Sequence, residues 1–248
     1  MGRNSLLDWL RIRRRSLEDA LTARGKAHTL SLERYRLHRA IAAAIAEHAQ
    51  GDCLDAGSGR SPYKTMLQKY AEQVISIDVE DRSGDTDMLA DIQSMPQIHD
   101  ASFDTILCSQ VLEHVPRPWD AMGELARVLR KDGTLILTVP HLSIIHEAPH
   151  DYYRYTRFGL AALCEPCGLE IKKIQATGGL GCFILHGISA GLLSTVGGIP
   201  LIRWVVFSFN YLILVRLPDL FEQLIGMPQL YPCDYLLVAT RVDTGDSD

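Results

Sequence analysis

The fold of this chain is decided by six residues, L-D-A-G-S-G, at positions 54–59. The apolar residues that begin this segment predict a short strand, and residues 63–70 beyond it predict a helix. Glycines between a strand and a helix let the backbone turn sharply and approach a ligand closely. The segment therefore predicts a ligand-binding loop in an α/β domain.

A carboxylate at Asp78 ends the next predicted strand, nineteen residues after Gly59. A carboxylate in that position can accept hydrogen bonds from both hydroxyls of a ribose. Pro62 stands where a dinucleotide-binding fingerprint needs its third glycine, and Asp55 would repel a phosphate but attract an ammonium group. S-adenosylmethionine contains a ribose, an adenine and an amino acid end but no phosphate. These residues therefore favour S-adenosylmethionine over NAD as the ligand.

Strands alternate with helices along most of the chain, which predicts a parallel sheet covered on both faces. Beyond the first two strands, four more are predicted at residues 103–108, 134–140, 169–176 and 234–240. We divide the chain into a basic amphipathic leader, the core, a hydrophobic cap, and the last core strand with a polar tail; these are residues 1–28, 29–177, 178–230 and 231–248.

The cap has an unusual composition, because residues 174–202 contain no Asp, Glu, Lys or Arg. Its glycines and Pro200 make a transmembrane span a poor interpretation, and the uncharged residues 204–215 are too few to cross a bilayer. We expect a helical hairpin above the substrate entrance that dips into one leaflet, helped by the basic leader. The alternatives are a solvated leader, and a soluble subdomain packed on the sheet or on a second subunit of a homodimer.

The charge and the N-terminus indicate where the protein works. A formal net charge of −5 gives no reason to expect a nucleic acid partner. The residues near Met1 lack the apolar segment of a secretory signal, so we expect a cytoplasmic protein, with peripheral contact to the inner face of the membrane.

Four segments in order resemble class I S-adenosylmethionine-dependent methyltransferases of the type 11 branch, over residues 52–140. They are L-D-A-G-S-G, A-D-I at residues 90–92, F-D-T-I-L-C-S-Q-V-L-E-H-V at 103–115, and E-L-A-R-V-L-R-K-D-G-T-L-I-L-T-V-P at 124–140. The resemblance implies a Rossmann-like sheet of seven mostly parallel strands with helices on both faces. The cap would then be a mainly helical insertion between the sixth and seventh strands.

The resemblance also implies which residues bind the cofactor. Those expected at its methionine end are Asp55, Gly57 and Gly59. Asp78 would bind the ribose, and the adenine would be held by Asp91 and Ile92. Ser109 and Gln110, at the end of the fourth strand, would contact the middle of the cofactor.

Glu113 and His114 resemble part of a metal-binding E-x-x-E-H cluster. Some O-methyltransferases, including ubiquinone-pathway enzymes, hold magnesium with such a cluster. Here its first position is Gln110, and a neutral amide is a poor ligand for a hard cation. We therefore predict no metal, and we expect Glu113 and His114 to begin a helix and line the cofactor pocket.

Residues 141–156, H-L-S-I-I-H-E-A-P-H-D-Y-Y-R-Y-T, follow the fifth strand and are rich in polar and aromatic side chains. Ligands of open α/β sheets bind at this edge. Methyl transfer to a hydroxyl needs positioning and a base, so we predict His146 and His150 as bases. Tyr153 and Arg154 would position the substrate. The alternative is that these histidines only form hydrogen bonds within the loop.

The same loop, with the S-P-Y of residues 61–63, resembles a subset of the family associated with cell-surface glycans. It implies O-methylation of a sugar hydroxyl in a glycan or lipid-linked glycan. Two alternatives remain open: a methyltransferase of a quinone or other small lipophilic molecule, and an inactive cofactor-binding scaffold.

Overall fold

A computed structural model describes residues 20–21, 26–82, 84–195, 202–225 and 231–242. It contains one seven-stranded sheet in the order β3-β2-β1-β4-β5-β7-β6. The strands are β1 Asp52–Ala56, β2 Gln73–Asp78, β3 Met88–Leu89, β4 Phe103–Ser109, β5 Leu129–Pro140, β6 Leu169–Thr177 and β7 Asp234–Arg241. Most of the predicted leader, parts of the predicted cap and the polar tail from residue 243 lie outside the described residues.

The pairing of the strands confirms the predicted Rossmann-like sheet. Strand β1 pairs in parallel with both β2 and β4, and β4 pairs in parallel with β5. Strand β7 pairs with β5 in the antiparallel direction, so that Asp234 lies opposite Pro140. The carboxyl ends of β1, β2 and β4 consequently meet at one edge of the sheet.

The sheet is buried because its central strands are apolar on both faces. Leu54, Ile106 and Leu137 are fully buried, and helices around the sheet cover them. Burial of each such side chain stabilises the fold by about 1.5–3 kcal/mol. The helices described in and beside this core are α1 Leu32–His48, α2 Lys64–Leu67, α3 Pro118–Val128 and α4 Arg157–Cys164. Helix α2 is shorter than the predicted 63–70, and α3 begins at Pro118, a residue that suits a first helical turn.

The described residues form two compact units, one from the ranges 40–176 and 234–242 and one from the ranges 20–39 and 177–233. Residues 29–39, which we predicted within the core, therefore group with the insertion. The reason is a set of polar contacts within the second of these units. Asp219 accepts from Arg36 at 3.1 Å and Arg39 at 3.0 Å, and the Asn210 amide donates to the Leu30 carbonyl.

The segment between β6 and β7 is helical where it is described. Helix α5 spans Leu180–Thr195, and a second helix continues through α6 Arg203–Phe209, a π-helical stretch Asn210–Arg216 and α7 Leu217–Ile225. Its portion Arg203–Phe221 is 19 residues long with a mean hydropathy of 1.4, so its length and composition would allow it to cross a membrane. The uncharged residues 204–215, from which we predicted a segment too short to cross a bilayer, end at Arg216, whereas the helix continues past that charge.

Candidate active site

The loop after β1 is held in the conformation that its glycines permit. Gly57 and Gly59 have φ angles of 72° and 58°, which side-chain-bearing residues rarely adopt. The amides of Gly57 and Ser58 both donate to the Ile77 carbonyl at 2.9 Å, which fixes the loop to the end of β2. A Cβ on Gly57 would lie 2.4 Å from Val111, whereas one on Gly59 would meet nothing within 4 Å. Gly57 is therefore needed for packing, and Gly59 faces open space.

Asp78 lies beside that open space and is largely buried. Its Oδ2 accepts from the Gly59 amide at 2.8 Å, and its Oδ1 accepts from the Glu80 amide at 3.1 Å. Each carboxylate oxygen can accept a further hydrogen bond. Asp78 is thus fixed in place and still able to bind two hydroxyls.

The side chain of Asp55 is buried, and one of its carboxyl oxygens lacks a hydrogen-bond partner among the described residues. That oxygen is Oδ2, and the side chain is 3% exposed. Burial raises the pKa of Asp55 to about 7; the positive charge of Lys64 opposes this shift and the negative charge of Asp78 adds to it. An ammonium group beside Asp55 would compensate for the buried charge.

Asp91 and Ile92, both predicted at the adenine, have different surroundings. The Asp91 carboxylate is exposed and accepts from the backbone amide and the side-chain amide of Gln93. Ile92 is only 4% exposed and packs in the hydrophobic core. Asp91 is therefore accessible to a ligand, whereas the side chain of Ile92 supports the fold.

Ser109 and Gln110 lie at the end of β4, as predicted. The Ser109 hydroxyl is 2.9 Å from the hydroxyl of Thr138 on β5. Gln110 adopts a φ of 57°, and its backbone amide donates to the Thr138 carbonyl. The Gln110 Nε2 is buried without a hydrogen-bond partner among the described residues. A donor in that state indicates a site that a polar ligand completes.

These residues fit S-adenosylmethionine. The orphaned Asp55 Oδ2 suits its ammonium group, Asp78 suits its ribose, and the orphaned Gln110 Nε2 offers a further donor after the end of β4. The open space at Gly59 leaves room for the ligand beside the loop.

The second part of the site is the loop of residues 141–156, which is fastened to the segment after β4. The amides of Tyr152 and Tyr153 donate to the Glu113 carbonyl. The Tyr153 hydroxyl donates to Pro116, and the buried Tyr155 hydroxyl donates to Leu112 at 2.9 Å. Tyr153, predicted to position a substrate, has this anchoring contact in the structure.

Arg154, the other predicted substrate residue, also has partners inside the loop. Its guanidinium forms two hydrogen bonds with Asp151, at 2.6 and 2.8 Å, and a third with the Ile144 carbonyl. The Arg154 side chain holds the pKa of Asp151 well below its usual range. The Asp151 carboxylate in turn accepts from the His146 amide at 2.8 Å. Arg154 therefore shapes the loop that carries the histidines.

The two predicted bases lie in different surroundings within this loop. The His150 Nδ1 is 3.2 Å from the Tyr152 hydroxyl. His146 lies against His114, with ring centroids 4.8 Å apart, and its Nε2 is 3.8 Å from Glu113 Oε1. The structure thus brings His146 to Glu113 and His114.

Glu113 is a feature that the sequence prediction underestimated. The prediction assigned it to a helix start; it lies in a 3₁₀ turn, Leu112–His114, and is 0% exposed. Neither carboxylate oxygen has a hydrogen-bond partner among the described residues. Burial raises the pKa of Glu113 to about 8. The adjacent Glu113 and His114 in the sequence were the signal that could have identified Glu113 as a functional residue.

The comparisons with known proteins agree with this geometry. A family model described as a methyltransferase domain matches residues 54–137. No curated protein matches the chain.

Many solved structures share the fold. A SAM-dependent methyltransferase from Archaeoglobus fulgidus is 15% identical, with a TM-score of 0.53 over 82% of this chain and 94% of its own. A geranyl diphosphate methyltransferase in complex with SAM is 14% identical, with a TM-score of 0.55 over 83% and 87% of the two chains. The [4+2]-cyclase SpnF is 16% identical, with a TM-score of 0.56 over 82% and 81%.

At these identities the solved structures establish the fold, and the family model adds the methyltransferase motifs of residues 54–137. The cofactor of this domain is S-adenosylmethionine, in agreement with the buried carboxylates and the glycine loop. Residues 54–137 therefore form a methyltransferase domain of the class I, S-adenosylmethionine-dependent type 11 branch.

Proposed function

We propose that this methyltransferase acts on a hydroxyl of an amphiphilic acceptor, a sugar of a glycan or lipid-linked glycan. The observation that supports this most directly is the loop of residues 141–156. It carries three histidines and three tyrosines beyond the carboxyl end of β5, the edge at which α/β sheets bind ligands. Such a loop offers a base and hydrogen-bonding groups for a hydroxylated substrate.

The residues of the chain would perform the reaction mainly by positioning. S-adenosylmethionine, when bound, supplies a methyl group on a positively charged sulfur. Transfer of this methyl group to the acceptor hydroxyl, with S-adenosylhomocysteine as the leaving group, would require a base in this loop to take the hydroxyl proton. His150 and His146 are the candidates for that base. Asp151 and Arg154 hold the loop in place. The Arg154 guanidinium donates both to the Asp151 carboxylate and to the Ile144 carbonyl.

The amphiphilic character of the acceptor is proposed from the helices between β6 and β7. Helix α5 exposes Leu180, Ile184 and Ile188, which recur every four residues on one face. The helix Arg203–Phe221 exposes seven further large apolar side chains: Val205, Phe209, Leu212, Ile213, Leu217, Leu220 and Phe221. Exposed apolar area of this kind is typical of membrane or lipid contact. We propose peripheral association with the inner membrane surface and no nucleic acid partner; a homodimer that covers this surface is the alternative.

Labelled-methyl transfer into fractionated extracts of the source cell tests the acceptor class. We expect alkali-stable label in glycan or in lipid-linked glycan. Label in an extractable quinone would instead support the second candidate, a small lipophilic acceptor. That candidate is favoured by the same apolar helices, and one matched structure is named as a geranyl diphosphate methyltransferase. Cofactor binding without any transfer would indicate a scaffold.

A further inference from the structure

A cluster of three potential metal ligands lies beside the proposed reaction centre. Nε2 of His114 is 3.6 Å from Oε1 of Glu113, and Nε2 of His146 is 3.8 Å from the same oxygen. One ligand atom from each of the three residues lies within 4.8 Å of the others. We propose that Glu113, His114 and His146 bind a divalent transition-metal ion.

The state of Glu113 is the first argument for a cation. Its side chain is 0% exposed, and neither oxygen has a hydrogen-bond partner among the described residues. A buried carboxylate is costly unless it is paired, hydrogen-bonded or bound to a metal. A bound cation would give this side chain the partner that it lacks.

The orientation of the two imidazoles is the second argument. Nδ1 of His114 lies 2.5 Å from the His150 carbonyl, so this nitrogen carries the proton and donates it. In the neutral imidazole the lone pair is then on Nε2, which is the nitrogen that faces Glu113. Nδ1 of His146 similarly lies 3.2 Å from the Ile144 carbonyl. Histidines that bind metals are held in this way, with the second ring nitrogen bonded to a carbonyl or carboxylate.

The ligand set indicates the class of metal. Magnesium and calcium prefer oxygen ligands, so the absence of a carboxylate at Gln110 still speaks against a magnesium cluster. Two imidazoles and one carboxylate suit zinc, iron(II), cobalt or manganese. We predicted a metal-free site from the spacing of residues 110–114. That prediction did not include His146 beside Glu113, which the folded loop supplies.

Three protein ligands leave at least one coordination position for water or for a substrate oxygen. The His146 side chain is 35% exposed, so the cluster is accessible from solvent. A metal at this position would take His146 as a ligand and leave His150 as the base of the proposed reaction. The site itself does not depend on the identity of the methyl acceptor.

Calorimetry with Zn²⁺ and absorption spectroscopy with Co²⁺, on metal-stripped full-length protein, test the site. We expect one ion per chain, and a Co²⁺ spectrum typical of nitrogen and oxygen ligands. Glu113→Gln, His114→Ala and His146→Ala should each weaken Zn²⁺ binding more than the roughly 10- to 100-fold that loss of an outer partner causes. Circular dichroism and thermal denaturation of these variants report whether they remain folded.

Two histidine variants serve as controls. His99→Ala removes an exposed histidine outside the cluster, and His150→Ala keeps the carbonyl that contacts His114. Both should retain Zn²⁺ binding within a few-fold. If Glu113→Gln fails to fold, the partly exposed His146 decides the question. Unchanged Zn²⁺ affinity in His146→Ala, or no binding to the unmodified chain, would overturn the proposal.

Discussion

The backbone amide of Gly59 donates a 2.8 Å hydrogen bond to Oδ2 of Asp78, and this contact joins the loop after β1 to the end of β2. The glycine supplies the backbone conformation, and the carboxylate supplies the acceptor that holds it. The two strongest sequence motifs of the cofactor site are therefore one structural unit, in which a change at either residue affects the other.

Replacement of Asp78 by Ala should weaken S-adenosylmethionine binding by about 2–3 kcal/mol, because paired hydrogen bonds to the ribose and the support of Gly59 are both lost. Isothermal titration calorimetry measures the change. Glu72→Ala removes an exposed carboxylate next to the other end of β2 and serves as the control. Unchanged affinity in the Asp78 variant would refute the assignment of the ribose site.

The buried Asp55 predicts a pH dependence of stability. Its pKa is raised from 3.8 to about 7 in the folded chain, so folding favours the protonated form. The stability associated with this proton is fully present below the unfolded pKa and is lost as the pH rises through 7. Asp55→Asn cannot titrate and should remove this component, so the difference in unfolding free energy between the two proteins should change between pH 4 and 7.

Cofactor binding should act on Asp55 in the opposite direction. An ammonium group beside the carboxylate favours its ionised form, so binding near pH 6 should release a proton. Calorimetry in buffers with different ionisation enthalpies detects this release. Equal proton release by the Asp55→Asn variant would show that the proton comes from another group.

The two loop glycines should respond differently to alanine. Both substitutions strain the backbone, at a cost of about 1–3 kcal/mol. Gly57→Ala also forces a Cβ against Val111 at 2.4 Å, so it should lower the stability further. Gly59→Ala meets no protein atom within 4 Å and should mainly reduce cofactor affinity.

Thermal denaturation and calorimetry on the two glycine variants separate these effects. Val111→Ala, combined with Gly57→Ala, should restore part of the stability because it removes the clashing atoms. Equal stability losses for Gly57→Ala and Gly59→Ala would contradict the packing role assigned to Gly57.

The proposed base predicts a large loss of turnover. Once the acceptor is identified, His150→Ala should reduce methyl transfer by roughly 10²-fold or more if His150 removes the hydroxyl proton. His146→Ala should reduce it as well, either as the alternative base or through the metal site. Initial-rate assays at saturating cofactor measure both. Full activity in both variants would exclude histidine from the mechanism.

The apolar helix Arg203–Phe221 predicts binding to membranes. Changing Val205, Phe209 and Leu212 to serine should reduce binding to anionic liposomes at least about tenfold, because each exposed side chain would lose its lipid contact. Trp119→Ser, an exposed aromatic elsewhere, is the control and should bind normally. Release from membranes by alkaline carbonate would indicate peripheral contact, and extraction by detergent alone would indicate a span. Full solubility without liposome binding would favour a subdomain covered by protein.

Much of the fold was predictable because its signals are local. The glycine loop, the acidic end of β2 and the apolar run of β5 each depend on neighbouring residues, and the sheet confirms their order. Strand β3, Met88–Leu89, escaped prediction because two residues are too few to show a period. The residues of β5 before Thr134 were not predicted as part of the strand for another reason. They pair with β4 across a register irregularity, which places Leu129 opposite Phe103.

The candidate site was less predictable because its contacts join distant segments. His146 lies near Glu113 in a loop that the hydroxyls of Tyr153 and Tyr155 join to Pro116 and Leu112. The spacing of residues in the sequence does not indicate which segments this loop contacts. The side chain of Ile92 illustrates the reverse case, since a motif position expected at the ligand is filled by a core residue.

The position of β7 between β5 and β6 has a consequence for biosynthesis. A ribosome delivers β6 well before β7, yet β6 has no place beside β5 in the finished sheet, since β7 occupies it. A nascent chain that ends before Asp234 consequently exposes an unpaired edge of β5, a surface that invites aggregation. The sheet is complete only after β7 has been synthesised. Premature termination in the helical segment before β7 should therefore give fragments that are degraded and inactive.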